Sequence, residues 1–257
     1  MLAAPYDAIL LDLDGVLYRW PEPIRGAPEA IGALRAAGKG LAFVTNNSSR
    51  TPDQVTERLA SVGVAAEPRE IVTSALATAT ILAERAVRGA FVIGEDGLRD
   101  ALTDAGIQLV DARGDGPVDV VVVGFDRSAD YAKLRDASVL VEEGAVLVAS
   151  NPDPSFPAPG GEAWPGAGAL LAAVETTTGV RAEVVGKPEG PIFHRALAQA
   201  GGGRPLVVGD RLDTDIAGAA RLGWDSVLVL TGSATREEVD RSPVKPTHVV
   251  DSIADLV

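Results

Sequence analysis

The amino-acid sequence predicts a doubly wound α/β fold with a parallel sheet. Short runs rich in β-branched residues recur along the chain, and most are apolar on both faces, as strands buried between two layers of helices are. Amphipathic stretches separate these runs, for example Ala27 to Gly38, Thr51 to Gly63 and Gly190 to Gly201, and each ends at a glycine, as helices commonly do. This alternation predicts a parallel sheet with helices on both faces.

Eight runs predict the strands: AILLDLD, GLAFVTNN, AFVIG, VDVVVVGF, AVLVAS, AEVVGK, PLVVGD and SVLVLTG. Four of them end in polar residues, which are Asp12 and Asp14, Thr45 and Asn46, Lys187, and Asp210. Because open α/β sheets bind ligands at the carboxyl ends of their strands, these four ends are expected to converge on one site.

The polar strand ends also predict the domain organisation. The stretch that separates them, from about Ile81 to Val184, is predicted to be an α/β unit inserted into the first domain. We therefore expect a catalytic core of residues 1–80 and 185–257, and an inserted cap domain of residues 81–184.

The composition is that of an ordinary globular protein and narrows the chemistry. Of the 257 residues, 46% are apolar and 23% are charged, which excludes disordered and fibrous classes. The chain contains no cysteine, so disulfides, thiolate nucleophiles and cysteine-ligated metal centres are excluded.

The net charge restricts the partners. The 23 basic and 36 acidic residues give a net charge of −13, which would repel both a nucleic acid and an anionic membrane surface. An anionic substrate would also be repelled, so its binding would require a local metal ion or a placed lysine. The first residues lack a basic n-region, and Asp12 and Asp14 interrupt the apolar run. We therefore expect neither a signal peptide nor an anchor and predict a cytoplasmic protein.

The segment Asp12-Leu13-Asp14-Gly15-Val16 is the strongest indication of function. Two carboxylates two residues apart point the same way from a strand, about 7 Å along it, and their repulsion requires a cation. Taken alone, the pair is equally consistent with a polar strand end followed by a glycine turn. The other polar strand ends favour the functional interpretation.

Lys187 is the candidate for a local positive charge, and Asp210 is the candidate for a ligand of a metal ion. Lys187 alone would be a lysine that emerges into water, but beside carboxylates it can hold a phosphoryl oxygen or neutralise Asp12. Asp210 opens GDRLDTD, whose three acids provide the hard oxygen ligands that magnesium accepts. Asp210 is nearest the strand end and is the favoured ligand, with Asp215 in support. Asp213 or Asp215 could instead cap the next helix.

The second predicted strand ends in Thr45-Asn46-Asn47-Ser48-Ser49. This run offers hydroxyl, amide and backbone N–H donors, which suit a charged phosphate. By itself it also has the composition of an ordinary turn.

Taken in order, these four elements resemble the haloacid dehalogenase (HAD) superfamily of phosphohydrolases. The signature of that superfamily is DxDGx(T/V), then a strand-end Ser or Thr, then Lys, then an acidic GDxxxxD loop. The segments DLDGVLYRW, FVTNNSSRT, VGKP and GDRLDTDIAGA are similar to the NagD-like branch, class IIA, which includes the p-nitrophenyl phosphatases. The resemblance covers essentially the whole chain, with a departure at Val16, where many members have threonine. It implies a Rossmann-like HAD core with an inserted α/β cap domain of the C2 type.

The resemblance also implies a role for each motif. Asp12 would be the nucleophile, and Asp14 the general acid and base. The phosphate would be held by Thr45, Asn46 and Lys187. Magnesium would be held by an Asp12 oxygen, the backbone carbonyl of Asp14 and the Asp210 side chain. In this branch cap residues close over the phosphate and select the leaving group, and the candidates for that role are Asn151 and Asp153. Their loop is also rich enough in Pro and Gly to be a simple connection.

The implied function is magnesium-dependent hydrolysis of small-molecule phosphate monoesters through an aspartyl phosphate on Asp12. A phosphotransferase or phosphomutase on the same scaffold stays open, as does a non-catalytic module that binds a phosphorylated ligand. A signalling receiver domain is excluded, because it would occupy about half of the chain. The expected partner is a small phosphorylated metabolite, for which phosphoglycolate, glycerol phosphate, a nucleoside monophosphate and pyridoxal phosphate are all within the family's range. A homo-oligomer also stays open.

Overall fold

The computed structural model describes residues 1–157 and 162–257, and the chain divides into two compact units. The first unit consists of residues 1–45, 52–72 and 187–257. The second consists of residues 46–51 and the described part of 73–186.

These units differ at their edges from the ranges expected from the sequence. Residues 46–51, 73–80 and 185–186 were expected in the core, but the structure groups them with the second unit. The reason for the largest difference is α3 (Ser74–Glu84), whose first turn is capped by the side chain of Thr73 and which packs against α4 (Asp96–Asp104) of the same unit. The chain therefore leaves the first unit before α3.

The first unit is built on a six-stranded sheet. Its strands are β1 (Ala8–Leu11), β4 (Gly40–Thr45), β5 (Ile71–Thr73), β13 (Pro205–Gly209), β14 (Asp225–Val229) and β15 (His248–Val250). They are ordered β15-β14-β13-β1-β4-β5. Strand β1 pairs in parallel with both β4 and β13, with Leu11 opposite Phe43 on one side and Val208 on the other. The carboxyl ends of these three strands therefore lie side by side.

Helices cover this sheet. They are α1 (Ala27–Ala36), α2 (Pro52–Ser61), α7 (Gly190–Gln199), α8 (Ala217–Leu222) and α9 (Arg236–Arg241). Ile9 and Leu11 of β1 pack in one hydrophobic cluster with Ile31 and Leu34 of α1, and α7 contacts β1 and β4. All four residues of β1 are buried, as expected for a strand between two helical layers. A short hairpin, β2 (Tyr18–Arg19) and β3 (Glu22–Pro23), follows β1.

The second unit has its own parallel sheet and core. The strands of this sheet are β6 (Gly89–Ile93), β7 (Gln108–Val110), β8 (Val120–Val123), β9 (Val146–Ala149) and β12 (Glu183–Val184), in the order β12-β9-β8-β6-β7. The unit also contains α5 (Tyr131–Glu142), α6 (Ala167–Thr178) and the hairpin of β10 (Ser155–Pro157) and β11 (Ala163–Pro165). The two parallel sheets with flanking helices confirm the predicted fold class.

The run AEVVGK is the one predicted strand whose place differs from expectation. Its strand, β12, ends at Val184 and pairs with β9 in the second unit. The expectation that Lys187 ends a strand of the core sheet is therefore wrong. The reason is that pairing stops at Val184, and the chain enters the first unit at Lys187 without extending a strand.

None of the helices in the described residues has the length and the apolar character that crossing a membrane requires.

Candidate active site

Lys187 is the centre of a buried polar cluster in the first unit. Its ammonium nitrogen donates to Asp12 Oδ1 at 2.6 Å, to Asp215 Oδ1 at 2.7 Å and to the Val44 carbonyl at 3.3 Å. Burial by itself would lower the pKa of Lys187, but the charges of Asp12 and Asp215 outweigh it and raise that pKa above its usual range. The lysine therefore stays charged although it is only 3% exposed.

Asp12 directly follows β1 and is held at the border with β13. Its backbone N–H donates to the Val208 carbonyl at 2.9 Å. Burial raises the pKa of Asp12 well above its usual range. Lys187 opposes this shift, whereas Asp215 and Asp210 add to it by repulsion. The site is therefore short of positive charge even with the lysine in place.

Asp210 directly follows β13 and contacts the loop that follows β14. Its Oδ2 accepts a hydrogen bond from the Ser233 backbone N–H at 2.6 Å. A Cβ at Gly232 would lie 2.0 Å from the same oxygen, and a Cβ at Gly15 would lie 2.6 Å from it. Only glycines permit this approach. Burial and the charge of Asp215 raise the pKa of Asp210.

The three acids of GDRLDTD have different surroundings. Asp213 is paired at the surface with Arg211 at 2.8 Å, so it does not join the cluster. Asp215 is buried in the π-helical turn Leu212–Ile216, and its Oδ2 accepts the Arg211 backbone N–H at 3.3 Å. The turn therefore aims Asp215 inward, in line with the occurrence of π-helical turns at functional sites.

Asp12, Asp210 and Asp215 form a donor set for a metal ion. One carboxylate oxygen of each lies within 4.8 Å of the others. Three hard oxygen ligands, with the pKa values of Asp12 and Asp210 raised by burial and mutual repulsion, fit a small divalent cation such as Mg²⁺. Asp215, predicted only in support, is part of this set. The backbone carbonyl of Asp14 stays a prediction as a further ligand.

Asp14 lies on the exposed side of the turn after β1. Its Oδ2 accepts a hydrogen bond from the Tyr18 hydroxyl at 3.3 Å. Burial, together with the Asp14 charge, raises the pKa of the Tyr18 hydroxyl, which therefore stays protonated and donates. The guanidinium of Arg58 lies over the same ring, 5.1 Å from its centroid. Sequence reasoning did not single out Tyr18, although it stands in the quoted segment DLDGVLYRW.

The predicted phosphate-binding residues fall in different units. Thr45 is buried at the end of β4, beside the end of β1 in the parallel register. Asn46 belongs to the second unit, where its Nδ2 donates to Asp153 Oδ2 at 3.1 Å. Asn151 Nδ2 donates to the Asn46 carbonyl at 2.8 Å. The two residues predicted to select the leaving group therefore hold Asn46 in place.

A parallel α/β fold with a lysine-bridged carboxylate cluster beside its strand ends fits an enzyme of the phosphohydrolase class. Residues 9–108 match the family described as haloacid dehalogenase-like hydrolase, and residues 184–256 match a HAD-hydrolase-like family. The chain belongs to the haloacid dehalogenase superfamily, in its NagD-like branch, as the sequence motifs predicted.

The similarity to known proteins extends over nearly the whole chain. An acid sugar phosphatase of Staphylococcus aureus is 41% identical over 255 residues, which cover 98% of this chain and 97% of that protein. A glycerol phosphate phosphatase of Mycobacterium tuberculosis, solved in complex with magnesium, has a TM-score of 0.92 and 34% identity. That comparison covers 98% of this chain and 76% of the other. NagD of E. coli has a TM-score of 0.91 and 31% identity, with 98% of each chain covered.

These comparisons establish the class of the reaction. Relatives that are named phosphatases, together with the family itself, show that the chain is a phosphoric monoester hydrolase. The magnesium of the M. tuberculosis structure and the carboxylate cluster of this chain confirm Mg²⁺ as the predicted cofactor.

Proposed function

We propose that this enzyme hydrolyses small phosphate monoesters in a magnesium-dependent reaction that passes through an aspartyl phosphate on Asp12. The observation that carries the proposal is the buried bridge of Lys187 between Asp12 and Asp215. It fixes a carboxylate that can act as a nucleophile next to a permanent positive charge.

In the first step, a carboxylate oxygen of Asp12 forms a bond to phosphorus, and the bond from phosphorus to the ester oxygen breaks. Asp14, protonated at this stage, gives its proton to the departing oxygen. Lys187, whose Nζ contacts Asp12 at 2.6 Å, stabilises the charge on the phosphoryl oxygens.

In the second step, water attacks the phosphorus of the aspartyl phosphate. Asp14, now a carboxylate, takes a proton from that water, and the bond from phosphorus to the Asp12 oxygen breaks. Inorganic phosphate leaves, and both aspartates return to their starting states. Magnesium held by Asp12, Asp210 and Asp215 would supply the positive charge that offsets the repulsion between these carboxylates and the anionic substrate.

Phosphorylated sugars and polyols are the proposed substrate class. Support comes from the S. aureus relative, which is named acid sugar phosphatase, and from the M. tuberculosis enzyme, which is named glycerol phosphate phosphatase. Thr45 and Asn46 are proposed to hold the phosphate that all such substrates share. The cytoplasmic location stays a prediction from the sequence, and a homo-oligomer stays open.

A phosphate-release screen tests the proposal. Purified protein is incubated with magnesium and a panel of sugar, polyol and nucleoside phosphates, and parallel samples contain a chelator or the Asp12→Asn variant. Release that requires both magnesium and Asp12, and is fastest for a sugar or polyol phosphate, is expected. Transfer of the phosphoryl group to an added alcohol in place of water would instead indicate a phosphotransferase.

A further inference from the structure

The turn after β1 carries a contact that the proposed reaction does not use. The Tyr18 hydroxyl lies 3.3 Å from Asp14 Oδ2, four residues along the chain. The proposed chemistry requires Asp14 to hand a proton over and take one back, and both transfers depend on where its carboxylate points. Because the Tyr18 hydroxyl contacts the Asp14 carboxylate directly, it restricts the directions in which that carboxylate can point.

The backbone fixes Tyr18 relative to Asp14. The Gly15 N–H donates to the Tyr18 carbonyl at 2.7 Å, and the Tyr18 N–H donates to the Leu13 carbonyl at 3.4 Å. An isolated β-bridge also pairs the backbones of Asp14 and Tyr18. The Tyr18 phenol and the Asp14 carboxylate therefore belong to one turn that is held by backbone hydrogen bonds.

The ring of Tyr18 is fixed as well. It is 3% exposed, it meets the Trp20 ring edge-on at 6.2 Å between centroids, and the Arg58 guanidinium lies over it. That guanidinium also stacks on Trp20 at 3.9 Å, while the Nε of Arg58 is buried with no hydrogen-bond partner among the described residues. Cation–π attraction between Arg58 and these two rings therefore helps to hold the phenol in place.

We propose that Tyr18 is a positioning residue for Asp14: its fixed hydroxyl holds the Asp14 carboxylate in the orientation from which it protonates the departing oxygen. The inference rests on the proposed function, in which Asp14 is the general acid and base. It predicts a dependence on the leaving group. An alkoxide needs the proton of Asp14 to depart, whereas p-nitrophenolate leaves without one.

The test compares kcat/KM for two substrates in four proteins. The substrates are p-nitrophenyl phosphate and whichever of glycerol phosphate or glucose phosphate the wild type hydrolyses faster. The proteins are the wild type, Tyr18→Phe, Asp14→Asn and Tyr6→Phe. Tyr6→Phe is the matched control, because Tyr6 is equally buried and its hydroxyl also donates to an aspartate, Asp225, at 3.1 Å.

For Tyr18→Phe, kcat/KM on the alkyl phosphate should fall about tenfold and that on p-nitrophenyl phosphate less than twofold. This loss is smaller than the roughly 10²- to 10⁴-fold cost of removing a general acid. Tyr6→Phe should leave the ratio of the two substrates unchanged. If Asp14→Asn shows the leaving-group dependence but Tyr18→Phe loses activity equally on both substrates, or loses none, the proposed role of Tyr18 is overturned and that of Asp14 stands. An Asp14→Asn variant with no dependence on the leaving group would overturn the proposed role of Asp14 itself.

Discussion

Lys187 and Asp215 form an ion pair in which the ammonium nitrogen lies 2.7 Å from a carboxylate oxygen, with both side chains almost fully buried. The same nitrogen contacts Asp12 Oδ1 at 2.6 Å, so two acids with different proposed tasks share one cation. Asp12 is the proposed nucleophile, and Asp215 is a member of the metal donor set. The bridge therefore links the stability of the first unit to its chemistry.

Removing Lys187 should reduce both the stability of the first unit and the enzymatic activity. In Lys187→Met two buried carboxylates lose their partner, and loss of one member of a buried pair costs about 3–5 kcal/mol. We expect a fall of that order in the free energy of unfolding, measured by urea titration, and loss of phosphate release. The double variant Lys187→Met/Asp215→Asn should recover part of the stability and none of the activity. A Lys187→Met protein as stable as the wild type would contradict this account of the bridge.

The loop after β14 should control the affinity for magnesium. A Cβ in Gly232→Ala would lie 2.0 Å from Asp210 Oδ2, so the carboxylate must move. We expect the magnesium concentration for half-maximal activity to rise about tenfold, roughly the effect of 1.4 kcal/mol on a binding equilibrium. The matched control is Gly32→Ala, because nothing lies within 4 Å of the added methyl in α1. An unchanged magnesium requirement in Gly232→Ala would contradict the assignment of Asp210 as a ligand.

The contacts of Asn46 change what is expected of Asn151 and Asp153. Both side chains bond Asn46, so each variant, Asp153→Asn or Asn151→Ala, should loosen a residue proposed to hold the phosphate common to all substrates. We expect KM to rise by a similar factor for every phosphate ester tested, with kcat changed less. A new rank order of substrates would instead support the sequence-based prediction that these residues select the leaving group.

The second unit contains an ion pair whose contribution to stability should depend on pH. Asp126, almost fully buried, accepts from Lys133 Nζ at 2.7 Å and from the Ser128 N–H at 2.8 Å. Burial would raise the pKa of Asp126, but these contacts outweigh it and lower that pKa below its usual range. A carboxyl with a lowered folded-state pKa adds stability above its unfolded pKa, near 3.9, and loses that stability as the pH falls through the folded value.

Asp126→Asn should therefore be less stable than the wild type at pH 7, by about 1–3 kcal/mol. The difference should shrink as the pH is lowered below about 4, the unfolded-state pKa of aspartate. Urea unfolding at pH 7 and at pH 3.5 measures both. Asp251→Asn is the control, because its ion pair with Arg236 is exposed and should contribute little at either pH. A difference in the free energy of unfolding that grows as the pH is lowered would contradict this account of Asp126.

The sequence predicted the sheet elements that are long and apolar. Runs such as VDVVVVGF and PLVVGD are buried on both faces and cannot be read as surface segments. The strands β5, β7 and β15 escaped prediction because each has three residues, too few for a pattern to emerge. The prediction for the AEVVGK run was wrong because a β-branched run indicates a strand but does not indicate which sheet the strand joins.

The site was predictable as far as its residues carry charge. Asp12, Asp210 and Lys187 stood out because an acid or a lysine after a buried run needs an explanation. Tyr18 and Gly232 did not, because a tyrosine after an apolar run is ordinary core and a glycine after a strand is an ordinary turn. Their contributions are a hydrogen bond to Asp14 and a close approach to Asp210. Both depend on three-dimensional proximity that no local pattern encodes.

The central claim is that Asp12 is phosphorylated and that Asp14 serves the proton transfers, and rapid mixing with p-nitrophenyl phosphate followed by intact-protein mass spectrometry tests it most directly. Asp14→Asn should release up to one equivalent of nitrophenolate, gain one phosphoryl group and then stall, because hydrolysis of the aspartyl phosphate lacks its base. Asp12→Asn should gain no phosphoryl group and show no burst. Steady turnover of Asp14→Asn without a burst, or phosphorylation of Asp12→Asn, would contradict the account.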